Sequence, residues 1–199
     1  MWLDSLHHAL HVALTGERDG YYAEFDGSME SIAAELRRPE GPHIVACAQN
    51  HDQIGNRALG DRLPDPKRRV AAAIVLFSTL TPLLFQGEEY GESAPFQYFT
   101  DHIDPSIAEA TREGRRREFA RFAGFSGELP DPQDEATFER SKLTPGEPEE
   151  LYRRLLRLRL ELPRELEVAC DEERRTLELR RGRATLRADF DRETVELDA

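Results

Sequence analysis

Four polar side chains follow a short apolar run at one point in the sequence. Asn50, His51, Asp52 and Gln53 come directly after residues 44–48, which are Ile-Val-Ala-Cys-Ala. Such a run is typical of a parallel strand buried on both faces, and in a β/α barrel the catalytic side chains lie where such strands end. An ionised aspartate beside a histidine and two amides suits an uncharged, hydroxyl-rich substrate. Alternatively, Asp52 caps the next helix or stabilises the turn, and spacing alone leaves both interpretations open.

A second polar group, Gln86–Glu92, follows another short apolar run at residues 82–85 and contains three glutamates. Loops that follow neighbouring parallel strands lie at the same end of a sheet, so these glutamates could supply acid–base chemistry. Glu88 is therefore a candidate substrate-binding residue. The structural alternative is that Glu88 or Glu89 pairs with an arginine such as Arg57 to hold the rim of the site.

Aromatic side chains are concentrated in the loop at residues 95–102, Pro-Phe-Gln-Tyr-Phe-Thr-Asp-His. Aromatic rings carry a large apolar face that can stack on a sugar ring, so Tyr98 is a candidate substrate-binding residue. The alternative is a small hydrophobic cluster that fixes a long loop in place.

Metal binding and redox chemistry have little support in the sequence. His7 and His11 have a spacing that can bind zinc, but no neighbouring glutamate or cysteine pair completes a known motif. We expect that these histidines either pack in the core or support a neighbouring site residue, and we expect no metal site and no cofactor. Cys47 and Cys170 are far apart and do not suggest a disulfide framework, which favours a reducing, cytoplasmic location.

Composition limits the classes of partner. The 199 residues carry a formal net charge of −12. An acidic chain has no basic field to attract nucleic acid, so no nucleic-acid partner is expected. The longest apolar run, residues 70–80, is too short to span a membrane, so no membrane partner is expected either.

The order of predicted elements indicates an α/β fold. Strand, long loop, helix, strand and long loop is the rhythm of a β/α barrel, whereas alternating residues after Pro163 indicate an antiparallel meander. We therefore predict a barrel part over residues 1–162 and an antiparallel β domain, incomplete, over residues 163–199. The Arg115–Arg117 run is expected to face solvent or pair with acids. Predicted helices cover residues 4–15, 31–38 with Ser28 as N-cap, 67–80, 105–122 and 148–162. Predicted strands cover residues 43–48, 82–85, 176–180, 184–190 and 194–197, and predicted loops or connectors cover 49–66, 86–104 and 128–148.

Several stretches together resemble one family. They are His-His-Ala-Leu-His at 7–11, Gln-Asn-His-Asp-Gln at 49–53, Gly-Glu-Glu-Tyr-Gly-Glu at 87–92, Tyr-Phe-Thr-Asp-His at 98–102 and Arg-Glu-Gly-Arg-Arg at 112–116. In these stretches the chain closely resembles the malto-oligosyltrehalose trehalohydrolases of the α-amylase superfamily, glycoside hydrolase family 13. The His-Asp pair alone would indicate only the superfamily, and the other stretches make the resemblance more specific.

The resemblance implies a fold and an activity. The fold would be the C-terminal part of a (β/α)8 TIM barrel followed by a small antiparallel β domain. The activity would be retaining hydrolysis of the α-1,4 bond next to the terminal trehalose of maltooligosyl trehalose, with release of trehalose. Asp52 would be the carboxylate that stabilises the transition state, and His51 would bind the same sugar ring. The other substrate-binding candidates are Asn50, Gln53, Glu88 and Tyr98.

The sequence also departs from the family's pattern. The family's nucleophile lies in a Gly-Phe-Arg-x-Asp-like strand and its general acid is a glutamate on the next strand, and we find neither. Both are expected upstream of Trp2, so we expect a C-terminal fragment with two barrel strands that is inactive in isolation. The alternatives are another α-amylase relative, such as a glycogen branching enzyme, and a non-catalytic carbohydrate-binding remnant.

Overall fold

The computed structural model describes residues 2–38, 43–120 and 128–199, which form an α/β protein. The helices in these residues are α1 (Asp4–Thr15), α2 (Met29–Leu36), α3 (His51–Gly55), α4 (Lys67–Phe77), α5 (Pro105–Phe119), α6 (Glu135–Arg140) and α7 (Glu150–Glu161). The strands are β1 (Val45–Cys47), β2 (Thr81–Leu83), β3 (Glu167–Asp171), β4 (Thr176–Arg181), β5 (Ala184–Asp189) and β6 (Thr194–Asp198). Short 3₁₀ turns occur at Gly20–Tyr22 and Glu88–Tyr90. No helix in these ranges is long and apolar enough to span a membrane.

Two compact units divide the chain, and each is described by itself. The first unit comprises Met1–Ala48, Leu63–Gly91 and Glu147–Ala199. The second unit comprises Gln49–Arg62 and Glu92–Gly146.

The first unit contains a small parallel sheet of short strands. β1 and β2 pair in parallel, with Val45 opposite Thr81. Trp2 forms a further parallel bridge to Val45, and the Leu3 amide donates to the Val45 carbonyl at 3.0 Å. The two predicted strands are therefore present but shorter than predicted, and a third parallel segment adjoins them. The sequence missed that segment because one or two residues carry no periodic pattern.

Helix α1 has the bounds that its apolar spacing predicted. It ends because Gly16 adopts a left-handed conformation with φ of 73°, from which its amide donates to the Val12 carbonyl. A residue with a Cβ is strained in that conformation, so glycine is the natural stop. Helix α2 begins at an N-cap in which the Ser28 hydroxyl accepts from the Ser31 amide at 3.1 Å.

The antiparallel sheet has the order β3-β4-β5-β6. Its buried face alternates as predicted, and Leu179 on β4 lies opposite Leu186 on β5 with both side chains fully buried. Strand β3 was not predicted, because Glu167–Asp171 forms an edge whose side chains are only half-buried or exposed, which weakens the alternation. The predicted division of the chain at Pro163 stays a prediction.

Helix α4 lies at the centre of the first unit's apolar core. Every residue from Val70 to Phe77 is buried, so the helix has no face on which its last carbonyls can reach water. Two arginines donate to these carbonyls and to carbonyls of the neighbouring chain segments. Arg159 on α7 bonds the carbonyls of Leu76, Ser78 and Leu80, and Arg181 on β4 bonds those of Phe77, Ser78, Leu162 and Pro163. Burial lowers the pKa of both guanidinium groups, and the neighbouring charge of Arg181 lowers that of Arg159 further.

The second unit contains two helices where the sequence predicted only loop or connector. Helix α3 begins after Asn50 and helix α6 after Asp134, each of which caps its helix through a side-chain oxygen. Both helices are short, with five and six residues, and too short for a helical apolar stripe to be recognised. Helix α5 begins with Pro105 as predicted and ends at Phe119, and the last two predicted residues of this helix, 121 and 122, lie outside the described residues.

A buried carboxylate ties the two ends of the 92–146 segment together. One oxygen of Glu92 accepts from the amide of Ala94 at 2.8 Å, and the other accepts from the amide and hydroxyl of Thr144 at 2.6 and 2.9 Å. Burial acts to raise the pKa of Glu92, but these hydrogen bonds outweigh it and the net shift is downward.

Replacement of Arg181 should destabilise the protein strongly. Arg181→Met removes the guanidinium donor of the Phe77 carbonyl at the end of α4 and of the Leu162 and Pro163 carbonyls, so we expect a loss of about 2–4 kcal/mol in the free energy of unfolding. Chemical denaturation measures it. Arg180→Met is the matched control, because Arg180 lies on the other face of β4 with its side chain 55% exposed. Equal stability of the two variants would contradict the assignment.

Replacement of Glu92 should have a pH-dependent effect. Because the pKa of folded Glu92 lies below its ordinary 4.5, its stabilisation is present above that pH and is lost as the pH falls through the folded-state value. Glu92→Gln should therefore cost about 1.5–3 kcal/mol at neutral pH and progressively less in acid. Unfolding curves at several pH values test this, with Glu113→Gln on the exposed side of α5 as the control. A cost that is the same at every pH would overturn the interpretation.

Candidate functional site

The Asn50–Gln53 segment forms the start of helix α3 in the second unit. The Asn50 side chain is almost fully buried, and its Oδ1 accepts from the Gln53 amide at 2.8 Å. Asn50 is therefore the N-cap of this helix. The alternative in which Asp52 provides the cap is wrong, because Asn50 already occupies that role.

His51 and Asp52 are the solvent-facing members of this segment. Each side chain is 66% exposed, and His51 Nε2 lies 3.3 Å from Asp52 Oδ1. A carboxylate and an imidazole held side by side can together bind adjacent hydroxyl groups, the carboxylate as acceptor and the ring N–H as donor. The structure thus separates the four predicted residues: Asn50 shapes the helix, whereas His51 and Asp52 project from it.

The carbonyl just before this segment is held by a buried histidine of the first unit. The Nδ1 of His7 lies 2.7 Å from the Ala48 carbonyl, which can only accept, so Nδ1 carries the proton. The Nε2 of His7 lies 3.2 Å from the Tyr22 hydroxyl. His7 therefore fixes the end of β1 through its ring, a role that the helical spacing of the histidines did not reveal.

The remaining histidines of α1 have packing roles, as predicted. The His11 ring stacks on Tyr22 at 4.0 Å between centroids, and its Nε2 lies 2.9 Å from a Glu17 carboxylate oxygen. The His8 ring stacks on Phe25 at 4.3 Å. No group of three potential metal ligands lies together in residues 2–38, 43–120 and 128–199.

Glu88 belongs to the first unit, whereas the other five candidate residues belong to the second. Its side chain is 1% exposed, and its Oε2 accepts from the Phe85 amide at 3.2 Å, which closes the turn after β2. The alternative from the sequence was that Glu88 or Glu89 pairs with an arginine such as Arg57 to hold the rim of the site. In the structure Arg68 donates to the backbone carbonyl of Glu88, and Arg57 pairs with Asp61 at 2.7 Å.

Arg68 is held in place by several partners at once. It donates to both carboxylate oxygens of Asp65 at 2.8 and 3.0 Å, to Glu149 at 2.5 Å and to the Tyr152 hydroxyl at 2.9 Å. Burial acts to lower the pKa of Arg68, but the hydrogen bond and charge of Asp65 outweigh this effect, so the pKa is raised overall. Burial, followed by the negative charge of Glu88, raises the pKa of Tyr152. The 85–91 turn is therefore anchored rigidly to α4 and α7.

Tyr98 lies in a loop that also contains the predicted hydrophobic cluster. The rings of Phe96 and Phe99 meet edge to face at 6.0 Å, and Phe99 meets Phe138 of α6 at 5.1 Å. The cluster interpretation is thus confirmed for Phe96 and Phe99. Tyr98 remains 39% exposed, and the guanidinium carbon of Arg115 lies 4.9 Å from the centre of its ring.

Arg115 is a residue of this region that the sequence missed. The Arg115–Arg117 run was expected to face solvent or pair with acids, and Arg115 does pair with Glu118 at 3.3 Å. However, its side chain is only 11% exposed, and its NH2 donates to the Arg57 carbonyl at 3.2 Å. No local pattern distinguishes this arginine from its neighbours, because Arg57 and Tyr98, the partners that set it apart, are distant in sequence.

Comparison with known proteins identifies relatives of the chain. No family model matches it. It is 44% identical to the malto-oligosyltrehalose trehalohydrolase of Deinococcus radiodurans over 82% of this chain and 33% of that protein. It is 39% identical to the corresponding Rhizobium protein over 99% of this chain and 40% of that protein. The chain thus spans about a third to two fifths of the length of these relatives.

A solved structure is also similar to the chain. A Salmonella typhimurium protein, provisionally assigned as an alpha amylase, superposes with a TM-score of 0.69 at 33% identity. The match covers 94% of this chain and 39% of that one. By sequence, the homologues of the chain at about 40% identity are malto-oligosyltrehalose trehalohydrolases, and the chain matches a part of their length.

Proposed function

We propose that the chain is part of a retaining glycoside hydrolase of the α-amylase superfamily that releases trehalose from maltooligosyl trehalose. The names of its relatives support this, because proteins about 40% identical over most of the chain are trehalohydrolases. Within this proposal the parallel strands are part of a (β/α)8 barrel, and residues 163–199 are a separate antiparallel domain. A cytoplasmic location stays a prediction.

The observation that carries the proposal is the division of roles in the Asn50–Gln53 segment. Asn50 is buried and caps the helix, which leaves the carboxylate of Asp52 at the surface with the imidazole of His51 beside it. In a retaining glycosidase one carboxylate attacks the anomeric carbon and an acid protonates the leaving oxygen. Asp52 would be a further carboxylate, which accepts hydrogen bonds from sugar hydroxyls and stabilises positive charge that develops on the ring.

The other candidates divide into ligand-facing and supporting residues. Tyr98 exposes part of its ring, which would stack on a sugar, and the side chain of Gln53 would add a polar contact. Asn50 and Glu88 have their side-chain oxygens turned to backbone amides, so their contribution would come through the backbone they hold. We therefore place His51, Asp52, Gln53 and Tyr98 in contact with substrate.

A second candidate function is hydrolysis of maltodextrin at internal α-1,4 bonds. The observation that favours it is the structural match to the Salmonella protein, which is assigned to the alpha amylases. Product analysis distinguishes the two functions, because free trehalose indicates the first and maltooligosaccharides alone indicate the second. New α-1,6 branches would instead identify a branching enzyme.

The role of Asp52 can be measured in a segment exchange. The matching segment of the Deinococcus radiodurans relative is replaced by this chain, and trehalose release from maltooligosyl trehalose is followed. Asp52→Asn should lower kcat by roughly 10²-fold or more, because it removes a charge that acts mainly in the transition state. The matched control is Asp61→Asn, which removes a carboxylate from the same segment that forms an exposed ion pair with Arg57.

Two results would contradict the proposal. If the exchanged enzyme releases no trehalose although it is folded, the chain does not supply a trehalohydrolase segment. If Asp52→Asn and Asp61→Asn have the same small effect, Asp52 is not the stabilising carboxylate. Binding of maltodextrin that persists in Asp52→Ala without any hydrolysis would support a carbohydrate-binding remnant.

A further inference from the structure

Arg115 on α5 contacts the segment after α3, the loop of Tyr98 and a ring of its own helix. Its NH2 donates to the Arg57 carbonyl at 3.2 Å, just beyond the end of α3. Its guanidinium carbon lies 4.9 Å from the ring centre of Tyr98 and 4.7 Å from that of Phe119. With only 11% of the side chain exposed, these contacts are shielded from water and correspondingly strengthened.

The contact with Arg57 completes the support of helix α3. At its start, Asn50 Oδ1 accepts from the Gln53 amide at 2.8 Å. At its end, the Asn56 amide donates to the Asp52 carbonyl and the Arg57 amide to the Ile54 carbonyl, both at 3.0 Å. A five-residue helix is not stable by itself, so its orientation depends on what holds its two ends. Asn50 holds the first end and Arg115 the second.

We infer that Arg115 is a positioning residue that fixes the Asp52 helix and the Tyr98 ring relative to each other. The inference rests on the proposed function, because it assigns Arg115 to the same sugar-binding surface. One guanidinium performs both tasks because its planar fork can donate in its plane to a carbonyl while its face lies on an aromatic ring. A lysine ammonium at this position could keep a charge near the rings, but it could not reproduce both geometries.

The first experiment measures position without any assay of activity. Amide hydrogen exchange is recorded on the full chain, in peptides that cover residues 50–58. Arg115→Met should raise exchange of the α3 amides by about tenfold, and Arg115→Lys should have a smaller effect in the same direction. Arg112→Met is the matched control, because Arg112 lies on the same helix and pairs with Asp131 at 2.8 Å.

The second experiment asks whether position matters for chemistry. In the segment-exchange enzyme, Arg115→Lys should lower kcat by between about tenfold and 10²-fold, since a small displacement of a catalytic group has an effect of that size. The double variant Arg115→Lys/Asp52→Asn should lose clearly less in kcat than the two single losses combined, because part of the effect of Arg115 passes through Asp52. A residue with a merely structural role would instead add its own loss in the double variant.

Each outcome has a definite meaning. Faster exchange at α3 together with a non-additive double variant supports the inference. Unchanged exchange at α3 in both Arg115 variants overturns it, as does a double variant whose losses add. If the exchanged enzyme never releases trehalose, the proposed function fails, and the hydrogen-exchange comparison with Arg112→Met still decides whether Arg115 positions the helix. Arg115→Lys serves as the informative variant if Arg115→Met does not fold.

Discussion

The first unit depends on hydrogen-bond donors for the backbone carbonyls at the end of a helix that has no access to water. Helix α4 is buried along its whole second half, and its burial provides much of the apolar core that α1, α7 and the antiparallel sheet share. Hydrophobic burial of this kind is favourable only if the polar backbone groups at the helix end find donors. Arg159 and Arg181 provide them, and as cations they also match the negative end of the helix dipole. Apolar packing of α4 and hydrogen bonding of its last carbonyls therefore depend on each other.

Most of the regular elements could be predicted from the sequence because their signals are local. Helix α1 repeats its apolar residues at helical spacing and stops at Gly16, and β4 and β5 alternate cleanly between core and solvent. The elements that were missed lack a local signal. Strand β3 is an edge strand without a fully buried residue, and α3 and α6 have too few turns for periodicity.

The candidate site was predictable in position but not in the division of roles. The sequence places Asn50 and Asp52 after a strand, yet only the structure assigns the cap to Asn50 and leaves Asp52 exposed. The residues that support the site from outside it could not be predicted from the sequence, for a different reason. His7, Arg68 and Arg115 each act on a backbone carbonyl, of Ala48, Glu88 and Arg57 respectively, and a carbonyl is common to every residue type. No pattern of side chains can reveal such a contact when the partners are far apart in the chain.

The contact between Arg181 and the end of α4 also affects how the protein unfolds. Arg181 lies on β4, 104 residues along the chain from Phe77, whose carbonyl it binds. If the antiparallel sheet detached, the Phe77 carbonyl would lose its Arg181 donor, and the helix would be left with an unsatisfied group in an apolar setting. The sheet and the helix should therefore unfold as one cooperative group, although they are far apart in the sequence. Forming that group requires closing a large loop, so the meander would be among the last parts of the chain to join the folded state.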